Sequence, residues 1–208
     1  MGKKLPLKFN EHYLKYGEQI RQRLNDFSNV KQKDYFYELC FCLLTPQSKA
    51  ENALEVIEKL KHKNFFEKPF NPVKILSDKK HYIRFHNTKA KRLLIVRKSF
   101  PDLLVMINCK IKNIEKRNII AEMVNGFGLK ESSHFLRNIG YRNLAILDRH
   151  ILSCLAECKV FKRIPKINNK LKYLKIENKF LKFADEVNIP VDELDLLFWS
   201  IRAGEILK

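Results

Sequence analysis

The sequence predicts an all-α protein, and three observations support that fold class. Apolar residues recur at the helical spacing of i, i+3, i+4 and i+7 through most of the chain. Segments that alternate strictly between apolar and polar residues are absent, and glycine accounts for only 6 of the 208 residues. A chain of this length suits one or two small domains and can bury a substantial core.

Apolar spacing and capping residues predict the helices in the first part of the chain. The first helix covers about residues 11–27, and a second follows Asp34 as its N-cap. The second helix is apolar on both sides, which is typical of a central helix. Pro46 disfavours helical geometry at Thr45 and suits the first turn of a new helix, so Gln47 is predicted at an exposed helix start.

The helices further along the chain follow the same logic. Asn87 or Thr88 is predicted to cap a helix that runs to about residue 98, and Pro101 is predicted to start another. The remaining helices are predicted over residues 115–124, 130–140, 149–159 and 168–187, and from Pro190 towards the C-terminus.

The charge balance points to the kind of partner. The formal net charge is +18 at pH 7, from 41 Lys and Arg against 23 Asp and Glu, and it favours a polyanion. The alternative is a lysine-rich solvated surface of the kind that many thermophile proteins carry. So large an excess destabilises a compact chain by self-repulsion unless a partner neutralises it, so we favour nucleic acid.

Targeting signals and disulfides are not expected. The N-terminal residues lack the apolar run of a signal peptide, and no apolar segment reaches the length of a membrane span. The five cysteines are an odd number in a chain too large to need disulfides. We therefore expect reduced thiols and an intracellular protein.

The segment Gly126-Phe127-Gly128 lies between two predicted amphipathic helices and predicts a helix-hairpin-helix. Glycine permits positive φ and close approach of the backbone to a ligand, and the following helix start adds free N–H groups. Gly126 and Gly128 are therefore candidate DNA-phosphate-binding residues. The alternative is an ordinary turn between helices, which often contains glycine.

Lys130, just beyond the hairpin, is the candidate nucleophile. A cation in the first turn of a helix has the wrong sign for the helix dipole, which favours the neutral amine that can attack a sugar carbon. The alternative is a lysine that only contacts phosphate or solvent, as most surface lysines do.

Asp148 follows Lys130 by 18 residues. The helix, turn and short apolar run between them can bring Asp148 back beside Lys130. Asp148 also suits the N-cap of the next helix, and the two roles are compatible because a capped carboxylate is held ionised and oriented. Such a carboxylate could stabilise a developing sugar cation.

Two aromatic residues have open roles. Trp199, the only tryptophan, either packs in the core or edges a pocket where a flat base stacks. Phe85 lies in a basic loop and either wedges between DNA bases or fills the core.

A metal site is not expected from the cysteines and histidines. His150, Cys154 and Cys158 share a helix stripe, but one helix supplies only about two converging ligands. We expect these side chains to pack in the core.

The hairpin, Lys130 and Asp148 together resemble the helix-hairpin-helix DNA glycosylase superfamily. The segment Leu44-Thr45-Pro46-Gln47 is similar to the family's turn whose Gln or Asn fills the gap left by a flipped base. The segment from Phe85 to Ala90 is similar to a second wedge loop. In this superfamily a lysine at the Lys130 position marks bifunctional enzymes, which excise a base and then cut the strand.

The resemblance narrows to one subgroup. A related subgroup binds an iron–sulfur cluster through four cysteines after the aspartate, whereas here only Cys154 and Cys158 follow it, so we expect no cofactor. The basic loop and the C-terminal segment from Trp199 to Lys208 are most similar to the second, largely archaeal, family of 8-oxoguanine DNA glycosylases. In that family the C-terminal lysine lies at the damaged-base pocket, so the resemblance assigns Trp199 and Lys208 to this pocket.

The resemblance also implies an architecture and a partner. It implies two helical subdomains that flank the hairpin, residues 35–130 and residues 1–34 with 131–208, and an active site in the cleft between them. The implied partner is double-stranded DNA with a damaged base, bound by a monomer in the prokaryotic cytoplasm at the nucleoid, without a membrane.

Three functions remain open at this point. The first is excision of 8-oxoguanine through a Schiff base on Lys130, followed by β-elimination. The second is a thymine-glycol-type glycosylase/lyase on the same scaffold. The third is a helix-hairpin-helix module that binds DNA without catalysis, which would explain the charge but not the pairing of a lysine with an aspartate.

Overall fold

The computed structural model describes residues 4–204 and 206, and this part of the chain contains ten α-helices, two short 3-10 helices and no strand. The all-α prediction is therefore confirmed. The α-helices are α1 (Leu7–Ser28), α2 (Tyr35–Leu44), α3 (Ala50–His62), α4 (Val73–Leu76), α5 (His86–Asn108), α6 (Asn113–Met123), α7 (Leu129–Asn138), α8 (Arg149–Glu157), α9 (Lys170–Val187) and α10 (Val191–Ala203). Within the described residues, none of these helices is long and apolar enough to cross a membrane.

The chain divides into two compact units. One unit is Lys31–Phe135, and the other combines Met1–Val30 with Leu136–Lys208. The division falls inside α7, so one helix carries the chain from the first unit into the second.

The unit Lys31–Phe135 is built around α2, which packs against α3 and α5. As predicted for a central helix, every residue of α2 from Glu38 to Leu44 is buried. Its Phe36 ring lies 4.7 Å from the Phe66 ring and 5.3 Å from the Phe100 ring, measured between centroids. This aromatic cluster joins the start of α2 to the middle of α5.

The second unit is built around α10, which packs against α1, α8 and α9. The Phe198 ring lies between Phe9 of α1, at 5.1 Å, and Phe180 of α9, at 6.0 Å. Three charged residues of α10, namely Asp192, Glu193 and Asp195, are also buried. A buried carboxylate needs a partner, and Asp192 accepts the Asn143 N–H, Glu193 accepts the Tyr13 hydroxyl and Asp195 pairs with Arg137.

Pro101 does not start a new helix, because α5 runs through it without a break. Phe100, Leu103 and Ile107 are buried along one face of α5, on both sides of the proline. Burial of this continuous stripe outweighs the roughly 3 kcal/mol that an interior proline costs a helix.

Of the caps predicted for the starts of α2 and α5, Asp34 is confirmed in its position, whereas Asn87 or Thr88 is wrong. The N-cap of α5 is Phe85, two residues before Asn87 and three before Thr88, and its side chain makes no capping hydrogen bond. Asp34 does precede α2, but a 3-10 helix leads directly into α2, and the Asp34 side chain accepts no backbone N–H there. In both cases the preceding backbone already sets the entry into the helix.

The turn after α2 also differs from the prediction. Thr45 retains helical backbone angles although Pro46 follows it, and Gln47 lies in a turn with φ of 57° rather than at a helix start. The next helix, α3, begins only at Ala50. The prediction that Gln47 is exposed is confirmed.

Candidate active site

The hairpin between α6 and α7 is a tight turn anchored by Phe127. The Phe127 side chain is buried, and its N–H donates to the carbonyl oxygen of Val124 at 3.0 Å. The first helical hydrogen bond of α7 joins Ser132 N–H to Gly128 O at 3.1 Å. Gly126 and Gly128 are both exposed, so the backbone of the turn faces outward.

Gly126 is a glycine for two physical reasons. Its φ is +96°, which L side chains rarely adopt, and a Cβ there would lie 2.7 Å from the guanidinium of Arg92. The Arg92 guanidinium on α5 therefore packs directly against the hairpin backbone. This places a positive charge beside the turn that we consider for phosphate binding.

Lys130 is the second residue of α7, and its side chain is 31% exposed. Its Nζ lies 3.3 Å from Oε1 of Glu131, while Oε2 of Glu131 accepts the Gly128 N–H at 3.2 Å. The second contact is the reciprocal half of a capping box, in which the third residue of a helix reaches back to its N-cap. One carboxylate thus contacts both the candidate nucleophile and a candidate phosphate-binding N–H.

Asp148 caps α8, as the sequence predicts. Its Oδ1 accepts the N–H groups of His150 and Ile151, both at 2.8 Å. These two donors fix the orientation of the carboxylate. Within the described residues its second oxygen, Oδ2, accepts no hydrogen bond, so it stays available to a ligand.

A buried ion pair lies in the same unit as Asp148. Arg137 of α7 donates to Oδ2 of Asp195 and, through Nη2 at 3.1 Å, to the side chain of Asn138. Burial raises the pKa of Asp195 to about 7, with Arg137 opposing the rise and the charge of Asp148 adding to it. Arg137 is therefore the buried partner that compensates the Asp195 carboxylate.

The two predicted wedge residues have similar backbone conformations. Gln47 has φ of 57° and Phe85 has φ of 59°, and both side chains are exposed, that of Phe85 to 51%. The Arg84 guanidinium lies 4.9 Å from the centroid of the Phe85 ring. Of the two roles that the sequence left open, burial of Phe85 in the core is therefore wrong.

Lys89 connects these two turns and was not identified from the sequence. It is only 3% exposed, and its Nζ donates to Leu44 O and Pro46 O, both at 2.7 Å, and to Ser48 Oγ at 3.2 Å. The same Ser48 Oγ accepts the Arg84 N–H at 3.0 Å. The residues before Gln47 and before Phe85 are thus tied to one ammonium and one hydroxyl.

The remaining predicted residues fall in the second unit. Trp199 is half-buried on α10, whereas Lys208 lies outside the described residues. Cys154 and Cys158 are buried free thiols, as expected for core residues, and burial raises the pKa of Cys158 to about 12. Cys109 is the exposed member of the five free cysteines. No cluster of three or more possible metal ligands occurs among the residues that the structure describes.

Two sequence signals could have identified residues that we missed. Lys89 begins the buried stripe of α5 that continues through Leu93 and Val96, so a charged residue occupies an apolar position. Glu131 stands three residues after Gly128, which is the spacing of a capping box. Charge at an apolar position is thus a usable signal for a buried functional contact.

Comparisons with known proteins agree on one family. The family model described as "Ogg-HhH: 8-oxoguanine DNA glycosylase" matches residues 20–189. The chain is 38% identical over 207 residues to an 8-oxoguanine DNA glycosylase/AP lyase of Fusobacterium nucleatum, with 94% of each chain covered. It is 36% identical to the protein of that name from Methanocaldococcus jannaschii, with 90% of this chain and 89% of the relative covered.

Solved structures are similar over nearly the whole chain. One is the Methanocaldococcus jannaschii 8-oxoguanine glycosylase/lyase in complex with a 15mer DNA containing 8-oxoguanine, with a TM-score of 0.86, 33% identity, and 97% of this chain and 98% of that chain covered. Another is the 8-oxoguanine DNA glycosylase of Thermotoga maritima, with a TM-score of 0.83, 27% identity and 97% of each chain covered.

Proposed function

This chain belongs to the family of 8-oxoguanine DNA glycosylases, and we propose that Lys130 and Asp148 carry out its reaction. It is an 8-oxoguanine DNA glycosylase/AP lyase that acts in DNA repair, the first of the three functions that the sequence left open. The observation that carries the assignment of Lys130 is its position. It follows the hairpin directly, its side chain is 31% exposed, and its only described polar contact is Glu131.

The neutral amine of Lys130 attacks C1′ of the damaged nucleotide. The new bond from Nζ to C1′ forms as the glycosidic bond breaks, and the base leaves with the bonding electrons and takes up a proton. The C1′–O4′ bond then breaks as the nitrogen lone pair forms the C=N bond, and O4′ takes up a proton. The protonated Schiff base that results acidifies the C2′ hydrogen. Loss of that proton then expels the 3′ phosphate by β-elimination and cuts the strand.

Asp148 stabilises the positive charge that builds up on the sugar. Its Oδ1 is held by two backbone N–H groups, and Oδ2 is free among the described residues to face the substrate. A fixed carboxylate needs no reorganisation as the charge develops, which is the main source of its effect.

The hairpin binds a phosphate of the damaged strand. Gly126 and Gly128 present backbone N–H groups at the start of α7, and the Arg92 guanidinium packs against Gly126. Because Glu131 accepts the Gly128 N–H, a phosphate at that position replaces one anion by another.

The other predicted residues act on the DNA around the lesion. Gln47 and Phe85 enter the stack that the damaged base vacates, and Trp199 and Lys208 contribute to the pocket that receives it. The exposure of Gln47 and Phe85 supports the first assignment. We further propose that the enzyme works as a monomer on double-stranded DNA in the cytoplasm, at the nucleoid.

Borohydride trapping tests the role of Lys130. Reduction of the Schiff base links the enzyme covalently to DNA that contains 8-oxoguanine. Lys130→Gln is expected to abolish both excision and the trapped adduct, whereas Lys170→Gln, a change in the first residue of α9, is expected to behave as wild type. An adduct that persists in Lys130→Gln would identify another nucleophile.

Asp148→Asn tests the carboxylate separately from the cap. Asparagine also caps helices, so the free energy of unfolding is expected to change little. The single-turnover excision rate is expected to fall by about 100-fold or more because the negative charge is lost. If affinity for lesion DNA collapses instead, Asp148 has a mainly structural role.

A further inference from the structure

Gln47 and Phe85 share a conformation that the chain has to enforce. Both are non-glycine residues with φ near +60°, a region that costs of the order of 1 kcal/mol or more and persists only where the surroundings determine it. Neither side chain contributes to that enforcement by burial, because both are exposed. The backbone on the N-terminal side of each residue is the part that is fixed.

Lys89 and Ser48 hold the backbone of both turns in place through hydrogen bonds. Lys89 Nζ holds Leu44 O and Pro46 O, at the end of α2, while Ser48 Oγ receives both Lys89 Nζ and the Arg84 N–H. We call this pair the bracket. It joins two turns that are separated by nearly forty residues of chain, and all its members belong to the unit Lys31–Phe135.

Burial of the Lys89 ammonium is energetically unfavourable, but the end of α2 offers it a favourable electrostatic environment. Lys89 is 3% exposed, and burial, with Arg92 adding, lowers its pKa to about 8. Its two carbonyl partners belong to Leu44, the last residue of α2, and to Pro46 just beyond it, where the helix dipole favours positive charge. An apolar residue would fill the same space on the buried face of α5 but could not donate hydrogen bonds to the two carbonyls and to Ser48.

We propose that the bracket is a positioning device for base extrusion, which holds Gln47 and Phe85 at a set separation so that both enter the vacated stack together. The inference rests on the proposed function, in which these two residues contact DNA. Extrusion of a base costs a few kcal/mol, and contacts in the gap offset that cost only when they are correctly placed. A displacement of about 1 Å can reduce a rate by about 100-fold.

The experiment compares two substrates for each variant. Single-turnover excision of 8-oxoguanine is measured in a duplex, where the base has to leave a stack, and in a single strand, where it does not. Ser48→Ala and Lys89→Gln are expected to lower the duplex rate by about 10-fold and the single-strand rate by less than about 2-fold. Ser48→Thr, which keeps the hydroxyl, is expected to restore most of the duplex rate.

A matched control separates positioning from loss of stability. Lys116 of α6 is also buried, at 1% exposure, and donates to the carbonyls of Met106, Ile107 and Cys109, none of which belongs to a wedge turn. Lys116→Gln is expected to lower the melting temperature and leave the ratio of duplex to single-strand rates unchanged. An equal fall in that ratio for Lys116→Gln would overturn the proposal.

Variants of the wedge residues themselves separate failure of the bracket from failure of the proposed function. Gln47→Ala and Phe85→Ala are expected to lower the same ratio. If they do so and the bracket variants do not, the bracket has no positioning role. If none of these variants changes the ratio, the assignment of Gln47 and Phe85 to the DNA stack is wrong, and the bracket proposal falls with it.

Discussion

Lysines of the unit Lys31–Phe135 occur in two contrasting environments. Lys89 and Lys116 are buried and donate to backbone carbonyls near the ends of α2 and α5. Lys130 stands at the beginning of α7, is 31% exposed, and has a carboxylate as its described partner. Carbonyl oxygens hold an amine in place at a helix end, whereas a helix start offers no such acceptors, so the amine of Lys130 remains able to reach a substrate.

The largest expected effect is the loss of excision activity when the exposed lysine, Lys130, is replaced. Lys130→Gln should reduce 8-oxoguanine excision by at least about 10³-fold, because the proposed nucleophile is lost, while its free energy of unfolding changes by less than about 0.5 kcal/mol. Rapid-quench excision and urea unfolding measure the two quantities. A large loss of stability in this variant would mean that Lys130 also stabilises the fold. Lys130 would then not differ from Lys89 and Lys116 in the way described above.

For Lys116→Met we expect a loss of stability without a loss of excision activity. Methionine fills the space but donates no hydrogen bond, so carbonyls at the end of α5 lose their donor, at a cost of about 3 kcal/mol. Urea unfolding measures this loss. Excision per folded molecule should stay at the wild-type rate, and a selective loss of excision would show that Lys116 acts on the site as well.

The pH dependence of the free energy of unfolding tests whether burial lowers the pKa of Lys89. Its pKa in the folded protein is lowered to about 8. An unfolded lysine keeps its proton up to about pH 10.4, so this group's contribution to the free energy of unfolding is least favourable below pH 8 and rises with pH from about 8 to 10.4. The stability of wild type relative to Lys89→Met should therefore increase by about 2 kcal/mol between pH 8 and pH 10. A constant difference would show that buried Lys89 keeps its proton.

The smallest effect concerns the hairpin that precedes Lys130. Gly126→Ala introduces a Cβ at positive φ and within 2.7 Å of Arg92, so it should destabilise the fold by about 1 to 2 kcal/mol and weaken DNA binding. Gly128→Ala is the matched control, because the nearest atom to its Cβ is Glu131 Oε2 at 3.5 Å. Fluorescence anisotropy with labelled duplex measures the binding. Equal affinities for the two variants would argue against a special role for the Gly126 backbone.

Local patterns in the sequence were sufficient for most of the helices and for the cap at Asp148. The hydrophobic spacing predicted α2 as a central helix, and the two N–H groups held by Asp148 are within three residues of it. The hydrophobic pattern gave a wrong prediction where contacts with residues distant in sequence determine the local structure. It broke α5 at Pro101, because the packing that keeps the helix continuous comes from Phe36 and other residues far along the chain.

The bracket could not be predicted for the same reason. Lys89 and Leu44 are 45 residues apart, and no local rule connects them. The hairpin that precedes the candidate nucleophile could be predicted because it is contiguous in sequence. Sequence analysis therefore supplies the helices, the local turns and candidate reacting groups, whereas the contacts that orient distant turns require coordinates.

The distribution of the cysteines has a practical consequence. Four of the thiols are buried, and Cys109, at the C-terminal end of α5, is exposed. A maleimide dye should therefore modify the native protein at one position without any engineered cysteine. Because the Cys109 carbonyl is a partner of Lys116, a fluorophore there would sit beside a contact that breaks on unfolding. The native enzyme thus carries its own attachment point for single-molecule and stopped-flow fluorescence.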